Sequence, residues 1–241
     1  MENVSQQESI NQPLKGSQVS SWKGLIQVFY QPSQLFAGIK ENPKILVPWI
    51  VFFAAIFVSF FLTADLIAKV QMEIMKEKMA EQGTGAGGPM PTLEMMKYSI
   101  IGFGAIFSML SPLVAAGLAM FFGNFMMAGR ANLKQILSVM LYGEIIYAVG
   151  FLIVAPLMLA KNSLMVSFSL AALFKNLTIQ DPTYVALSKI GLFYIWEIVV
   201  IGIGLSIIYG FARNKGYLLA VLSMGMLSIL HVLIQFAFGG M

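Results

Sequence analysis

Five stretches of this sequence run for about the width of a lipid bilayer almost without a charge. Ile45 to Ala64 is twenty uncharged residues between Lys44 and Asp65. Tyr98 to Gly129 carries no charge at all, with its apolar heart at Ser99 to Gly123. Ile136 to Ala160 is interrupted only by Glu144, and Ile190 to Ala212 only by Glu197. Tyr217 to Phe238 holds no formal charge, only His231. A hydrocarbon core of about 30 Å is crossed by about 20 helical residues, so each stretch is long enough. Lipid offers an open backbone no hydrogen-bond partner, and none of the stretches alternates as a barrel strand does. The expected fold is therefore all-α: a polytopic membrane bundle of five transmembrane helices.

Composition supports the same solvent. The chain is 58% hydrophobic and 11% charged, where a soluble domain carries roughly 25% charge. It lacks the polar residues to cover a water-facing surface, which excludes a soluble enzyme, a disordered protein and a disulfide-built secreted domain. With no cysteine there is no thiolate metal site or thiol chemistry, and a single histidine leaves no conventional zinc or paired-histidine haem site. No cofactor is expected. The net charge of +4 is ordinary for a membrane protein, and no basic face interleaved with aromatics points to nucleic acid.

Outside the spans the chain divides into distinct parts. Residues 1–19 are polar, lack the apolar core of a cleaved signal peptide, and read as a disordered cytoplasmic tail. In 20–43, Trp22, Leu25, Ile26, Phe29 and Tyr30 recur at helical spacing; Pro32 interrupts them; Leu35, Phe36 and Ile39 resume. That pattern predicts two short amphipathic helices in the membrane interface. The membrane domain proper is 44–241. Within it, 66–97 first continues the helical pattern, with Met72, Met75 and Met79 on one stripe, and then breaks into Gly83, Gly85, Gly87, Gly88, Pro89 and Pro91. This reads as a flexible Gly/Pro/Met-rich loop, its methionines an adaptable apolar contact surface rather than a Cu(I) site. Asn162 to Phe174 is apolar but only 13 residues long, too short to cross unaided, and is expected to form an interfacial or re-entrant helix. With the N-terminus inside, the tail and two short loops hold eight basic residues and the other side seven. Both arginines lie in the short loops, and the uncharged tail is cheap to translocate, so the N-terminus is placed inside and the C-terminus outside.

Several blocks resemble a known family. Phe29-Tyr30-Gln31-Pro32-Ser33-Gln34-Leu35-Phe36-Ala37-Gly38-Ile39, followed by Asn42-Pro43 and Pro48-Trp49, is similar to the start of the membrane domain in bacterial Yip1-family proteins. Gly129 to Val139 with Tyr142, and Leu187 to Trp196 with Gly202 and Gly204, fit the same family in order and spacing. The resemblance implies a five-span helical domain with a cytosolic N-terminus. Eukaryotic members bind Rab-type GTPases through a cytosolic region with an Asp-Leu-x-Gly-Pro motif, which is absent here, so that role is not carried over. Some bacterial members sit beside ABC-type exporters, which implies an accessory or assembly role in the bacterial plasma membrane.

The intramembrane ionisable residues are costly and therefore informative. Glu144 lies roughly 12 Å into its span and His231 roughly 21 Å into the last one. Glu197 and His231 each lie 17 residues from Asn214, the centre of a short connection, so antiparallel neighbours would hold them at one height. A hydrogen-bonded Glu197–His231 pair is the expected polar contact. Small residues form the other constellation: Ala115, Ala119 and Gly123, and Gly202, Ser206 and Gly210, repeat every fourth position as close-packing stripes. Enzyme readings fail on inventory. His231 has no nucleophile-elbow partner, and Asp65 and Asp181 lie at or outside span boundaries.

The expected function is thus that of a non-catalytic integral membrane protein that binds membrane lipids and another integral membrane protein, an ABC-type exporter subunit being the preferred partner. Homo-oligomerisation stays open. Trp22, Phe29, Phe36, Met72, Met75 and Met79 are the candidate contact residues. The alternative is a small proton- or ion-coupled transporter or channel that uses Glu144, Glu197 and His231.

Overall fold

The structure, a computed structural model, describes residues 20–81, 90–174 and 176–238. Two short helices come first, α1 (Ser21–Tyr30) and α2 (Pro32–Glu41), then the long helices α3 (Leu46–Glu81) and α4 (Leu93–Met120). A π-helical turn at Phe121–Met126 extends α4, and α5 (Leu133–Lys161) returns. After a 3-10 turn at Leu170–Leu173 and the short α6 (Pro182–Ser188), α7 (Leu192–Tyr209) and α8 (Arg213–Phe238) close the bundle as a hairpin. Among the described residues the only extended pairing is an isolated antiparallel bridge between Ser169 and Gly191. The all-α expectation holds.

Four helices among the described residues are long and apolar enough to cross a membrane: α3, α4 with its π turn, α5 and α7. The protein is accordingly a multi-pass membrane protein. The fifth uncharged stretch lies on α8, a helix of 26 residues.

Local chemistry explains where the helices begin and end. Pro32 sits in the first turn of α2, where its missing N–H costs nothing, and Gln31 forms the joint with α1. Thr92 caps α4 by accepting from the N–H of Met95. Asn132 and Gln135 form a reciprocal capping box on α5. At its other end Asn162 stops α5 in the left-handed region, at φ 48°. Gly210 ends α7 in the same way, at φ 70°. It is therefore a terminator, and the close-contact stripe on α7 reduces to Gly202 and Ser206.

The centre of the bundle is α5, which is buried continuously from Ile136 to Ile146. It touches α3, α4 and α7 along its length and receives α1 and α2 near its start. Helix α7 packs on α5 and on α8, and α8 also meets α4. The small-residue stripe on α4 receives an aromatic side chain. A Cβ on Gly123 would sit 2.4 Å from the Tyr209 ring, and the Tyr209 hydroxyl donates to the Ala119 carbonyl at 3.3 Å.

Helices α1 and α2 are docked on the bundle by specific contacts. Tyr142 donates its hydroxyl to the Ser21 carbonyl at 3.2 Å, and Lys40 Nζ donates to the Ile207 carbonyl at 3.0 Å. Gln135 Nε2 donates to the Lys40 carbonyl at 2.7 Å, and the Ser138 hydroxyl donates to the Lys44 carbonyl, also at 2.7 Å. Leu35, Phe36 and Ile39 enter the main core.

Within 66–97, the start that reads as a continued helical pattern is helix through Glu81, helix resumes at Leu93, and the glycine-rich part at 82–89 lies outside the described residues. One segment differs from expectation. Asn162 to Phe174 is not a helix but a series of turns with one 3-10 turn at Leu170–Leu173. Its serines compete with helical hydrogen bonding: Ser163 Oγ accepts from the Met165 N–H, and the Ser167 and Ser169 hydroxyls pair at 2.8 Å. On the same face, Asp181 accepts from the Thr178 backbone and hydroxyl, which holds its carboxyl below the usual range.

Candidate functional site

The polar residues that matter most lie where α4, α5 and α7 meet. From the end where α5 begins and α7 finishes, Glu144 is about 17 Å along α5 and Glu197 about 18 Å along α7. The two helices run antiparallel, so the carboxyls arrive at one level, near the middle of a bilayer core of about 30 Å. Gly143 permits the approach. A Cβ there would lie 2.4 Å from Ile201 Cγ1 and 3.8 Å from Glu197 Cγ. Glu197 therefore lies against the α5 turn that carries Glu144.

Both carboxyls are buried, Glu144 at 5% exposure and Glu197 at 1%. The Ser111 hydroxyl donates to Glu144 Oε1 at 3.2 Å. Ser111 precedes Pro112, a buried proline inside α4. Glu197 Oε1 is buried without a hydrogen-bond partner among the described residues. Two tyrosines complete the surroundings, since Tyr147 and Tyr194 lie within electrostatic reach of both carboxyls. Tyr194 is otherwise engaged: its hydroxyl lies 2.9 Å from the Met224 carbonyl and 2.6 Å from Ser228 Oγ, and so ties α7 to α8.

Such a cluster can hold a proton or a small cation, or can simply fix three helices in register. Among the described residues no three His, Asp or Glu side chains gather to hold a metal. Surface clefts lie elsewhere, one at Met165, Ser167 and Phe174 and another at Gln71, Met95 and Phe103.

The residues singled out by sequence are distributed as follows. Glu144 and Glu197 converge, a meeting that the sequence did not indicate. His231 lies on α8, but its side chain is outside the described residues, and so is the proposed pair with Glu197. Trp22 is 64% exposed on α1, whereas Phe29 is half-buried and meets Trp196 edge-on at 5.5 Å. Phe36 is fully buried beside Gly204 and Val139, so it is a core residue and cannot meet a partner. Met72, Met75 and Met79 are half-buried on α3. Sequence reasoning missed Ser111, although a serine beside a proline in an uncharged stretch was a readable signal.

No curated protein and no solved structure matches this chain. The family model of the Yip1 domain matches residues 26–235, from within α1 to near the end of α8. The match takes in the docked helices, every candidate span and both buried carboxylates, and the chain belongs to the Yip1 domain family.

Proposed function

We propose that this Yip1-family protein is a non-catalytic, five-span membrane protein that binds other membrane proteins, acting as an accessory or assembly factor of an ABC-type exporter in a bacterial plasma membrane. In this reading α8 is the fifth crossing, α1 and α2 lie in the interface on the cytoplasmic side, and the C-terminus is extracytoplasmic. One observation carries the binding role. Helix α3 has 36 residues and is about 54 Å long, whereas the hydrocarbon core takes up about 30 Å. Its last turns therefore stand outside the hydrocarbon, where charged residues alternate with the Met72, Met75 and Met79 stripe and Met95 of α4 is 61% exposed. Flexible thioether side chains on a water-facing surface form an adaptable contact.

Crosslinking in mild detergent followed by affinity purification tests this. A stoichiometric membrane-protein partner is expected with the natural chain, and at least a tenfold loss of it with Met75→Glu plus Met79→Glu. A chain that purifies alone, or a partner indifferent to both substitutions, contradicts the reading.

A second reading is favoured by the unpartnered Glu197 oxygen beside Glu144: a proton- or ion-coupled transporter that uses Glu144, Glu197 and His231. Intramembrane carboxyls of this kind mark ion pathways in other proteins.

A further inference from the structure

The two ends of the bundle differ in charge far more than the count of basic residues indicates. Helix α2, the start of α5 and the α7–α8 connection converge at one end, bringing together Lys40, Lys44, Arg130, Lys134, Arg213 and Lys215. Among the described residues Glu41 is the only carboxylate there. At the opposite end, among the described residues, six lysines accompany six carboxylates, and Lys69 pairs with Asp65 at 2.7 Å. No ion pair with a carboxylate neutralises the cations of the basic end among the described residues.

The convergence is built rather than incidental. Lys40 is held by its bond to the Ile207 carbonyl, and Arg213 Nη2 donates to the Ser33 hydroxyl at 3.0 Å, so both stay in place around α2. Arg130, Lys134 and Lys215 are exposed. Beside them α1 turns Gly24 and Val28 inward and leaves Trp22, Ile26 and Tyr30 exposed at 64–68%, one stripe at every fourth residue, with Lys23 exposed next to it. An apolar stripe bordered by fixed cations fits the boundary between acyl chains and acidic headgroups.

We infer that this end of the protein binds the headgroups of anionic phospholipids, with the α1 stripe seated among the acyl chains of the same leaflet. The cations complement lipid phosphates that carry an uncompensated negative charge, whereas a zwitterionic headgroup brings its own cation. The opposite end, with balanced charge, has no such preference. The inference stands apart from the identity of any protein partner.

The test uses the full chain in phosphatidylcholine vesicles with trace spin-labelled phosphatidylglycerol or phosphatidylcholine, and compares the fractions immobilised by the protein. The natural chain should favour phosphatidylglycerol roughly fivefold or more, and added salt should reduce that preference. The substitutions Lys23→Gln, Arg130→Gln, Lys134→Gln and Lys215→Gln, made together at exposed positions, should bring it close to one. Lys76→Gln, Lys97→Gln and Lys161→Gln at the other end should leave it intact. Equal association of the two lipids overturns the inference, as does a preference that survives the first set or is equally lost with the second. If the first set fails to fold, the salt series on the natural chain decides, and a preference insensitive to salt overturns it.

Discussion

Gly216→Ala is expected to destabilise the bundle by about 1–3 kcal/mol, and Gly216→Leu to prevent recovery of a monodisperse protein. The reason is where α7 and α8 cross. A Cβ on Gly216 would stand 2.4 Å from the Gly202 carbonyl oxygen, 2.5 Å from Ser206 Cβ and 2.9 Å from the Ser206 nitrogen. Two of those atoms are backbone, which no side-chain rotation can move aside. From the other helix, a Cβ on Gly202 would meet Tyr217 at 2.4 Å. Helix contacts in lipid rest on close backbone approach, so a single methyl group forces the pair apart. Gly225 on the same helix is the control: nothing lies within 4 Å of its Cβ position, and Gly225→Ala should not lower stability and should raise it by up to about 1 kcal/mol. Thermal unfolding in detergent measures all three. Equal midpoints for Gly216→Ala and Gly225→Ala would show that the helices do not meet there.

The second large effect is expected at Glu197 and runs in the opposite direction. Its Oε1 is buried and unpartnered among the described residues, and a buried polar atom left unpaired costs about 1–3 kcal/mol. Glu197→Leu, close in size and apolar, should raise stability by about that amount. Glu144→Leu should gain less, because Ser111 would lose the acceptor it now has. The same variants separate the two functional readings. In proteoliposomes, proton or cation flux by the natural chain that Glu197→Gln abolishes would establish the transporter reading. A stabilised leucine variant in a protein without flux leaves the carboxyl as a helix-orienting group. Destabilisation by Glu197→Leu would instead mean that the carboxyl has a partner, with His231 the first candidate.

Much of the fold was legible because lipid leaves the backbone so few choices. Uninterrupted apolar length located α3, α4, α5 and α7, and Pro32 marked the break between α1 and α2. What the sequence could not separate was the destination of an apolar face that lies outside a span. Trp22 and Phe36 belong to the same amphipathic pattern, yet one is exposed and the other fills the core beside Gly204. Only the docking of α2 across α7 distinguishes them. Gly210 was read as part of a packing stripe from its spacing, but at the end of a helix a glycine more often supplies the left-handed cap. Asn162 to Phe174 has the composition of a helix, and its serines turn it into local bends.

The candidate site shows the same boundary. Equal spacing about a tight hairpin predicts contacts between neighbours in sequence, such as α7 and α8. The approach of Glu144 to Glu197 instead joins helices separated by the whole 162–191 excursion, and it depends on Gly143 leaving room for Ile201. Nothing in periodicity encodes that pairing of faces.

The central claim is a five-crossing topology in which the α1–α2 end and the C-terminus lie on opposite sides of the membrane. The chain has no cysteine, so single cysteines can be introduced and probed with a membrane-impermeant maleimide without background. Cysteines at Gln34 and Asn214 should react from one side, and those at Lys76, Asn162 and Gly240 from the other. Reaction of the Gly240 cysteine on the same side as Asn214 would mean that α8 does not cross and would contradict the five-span arrangement.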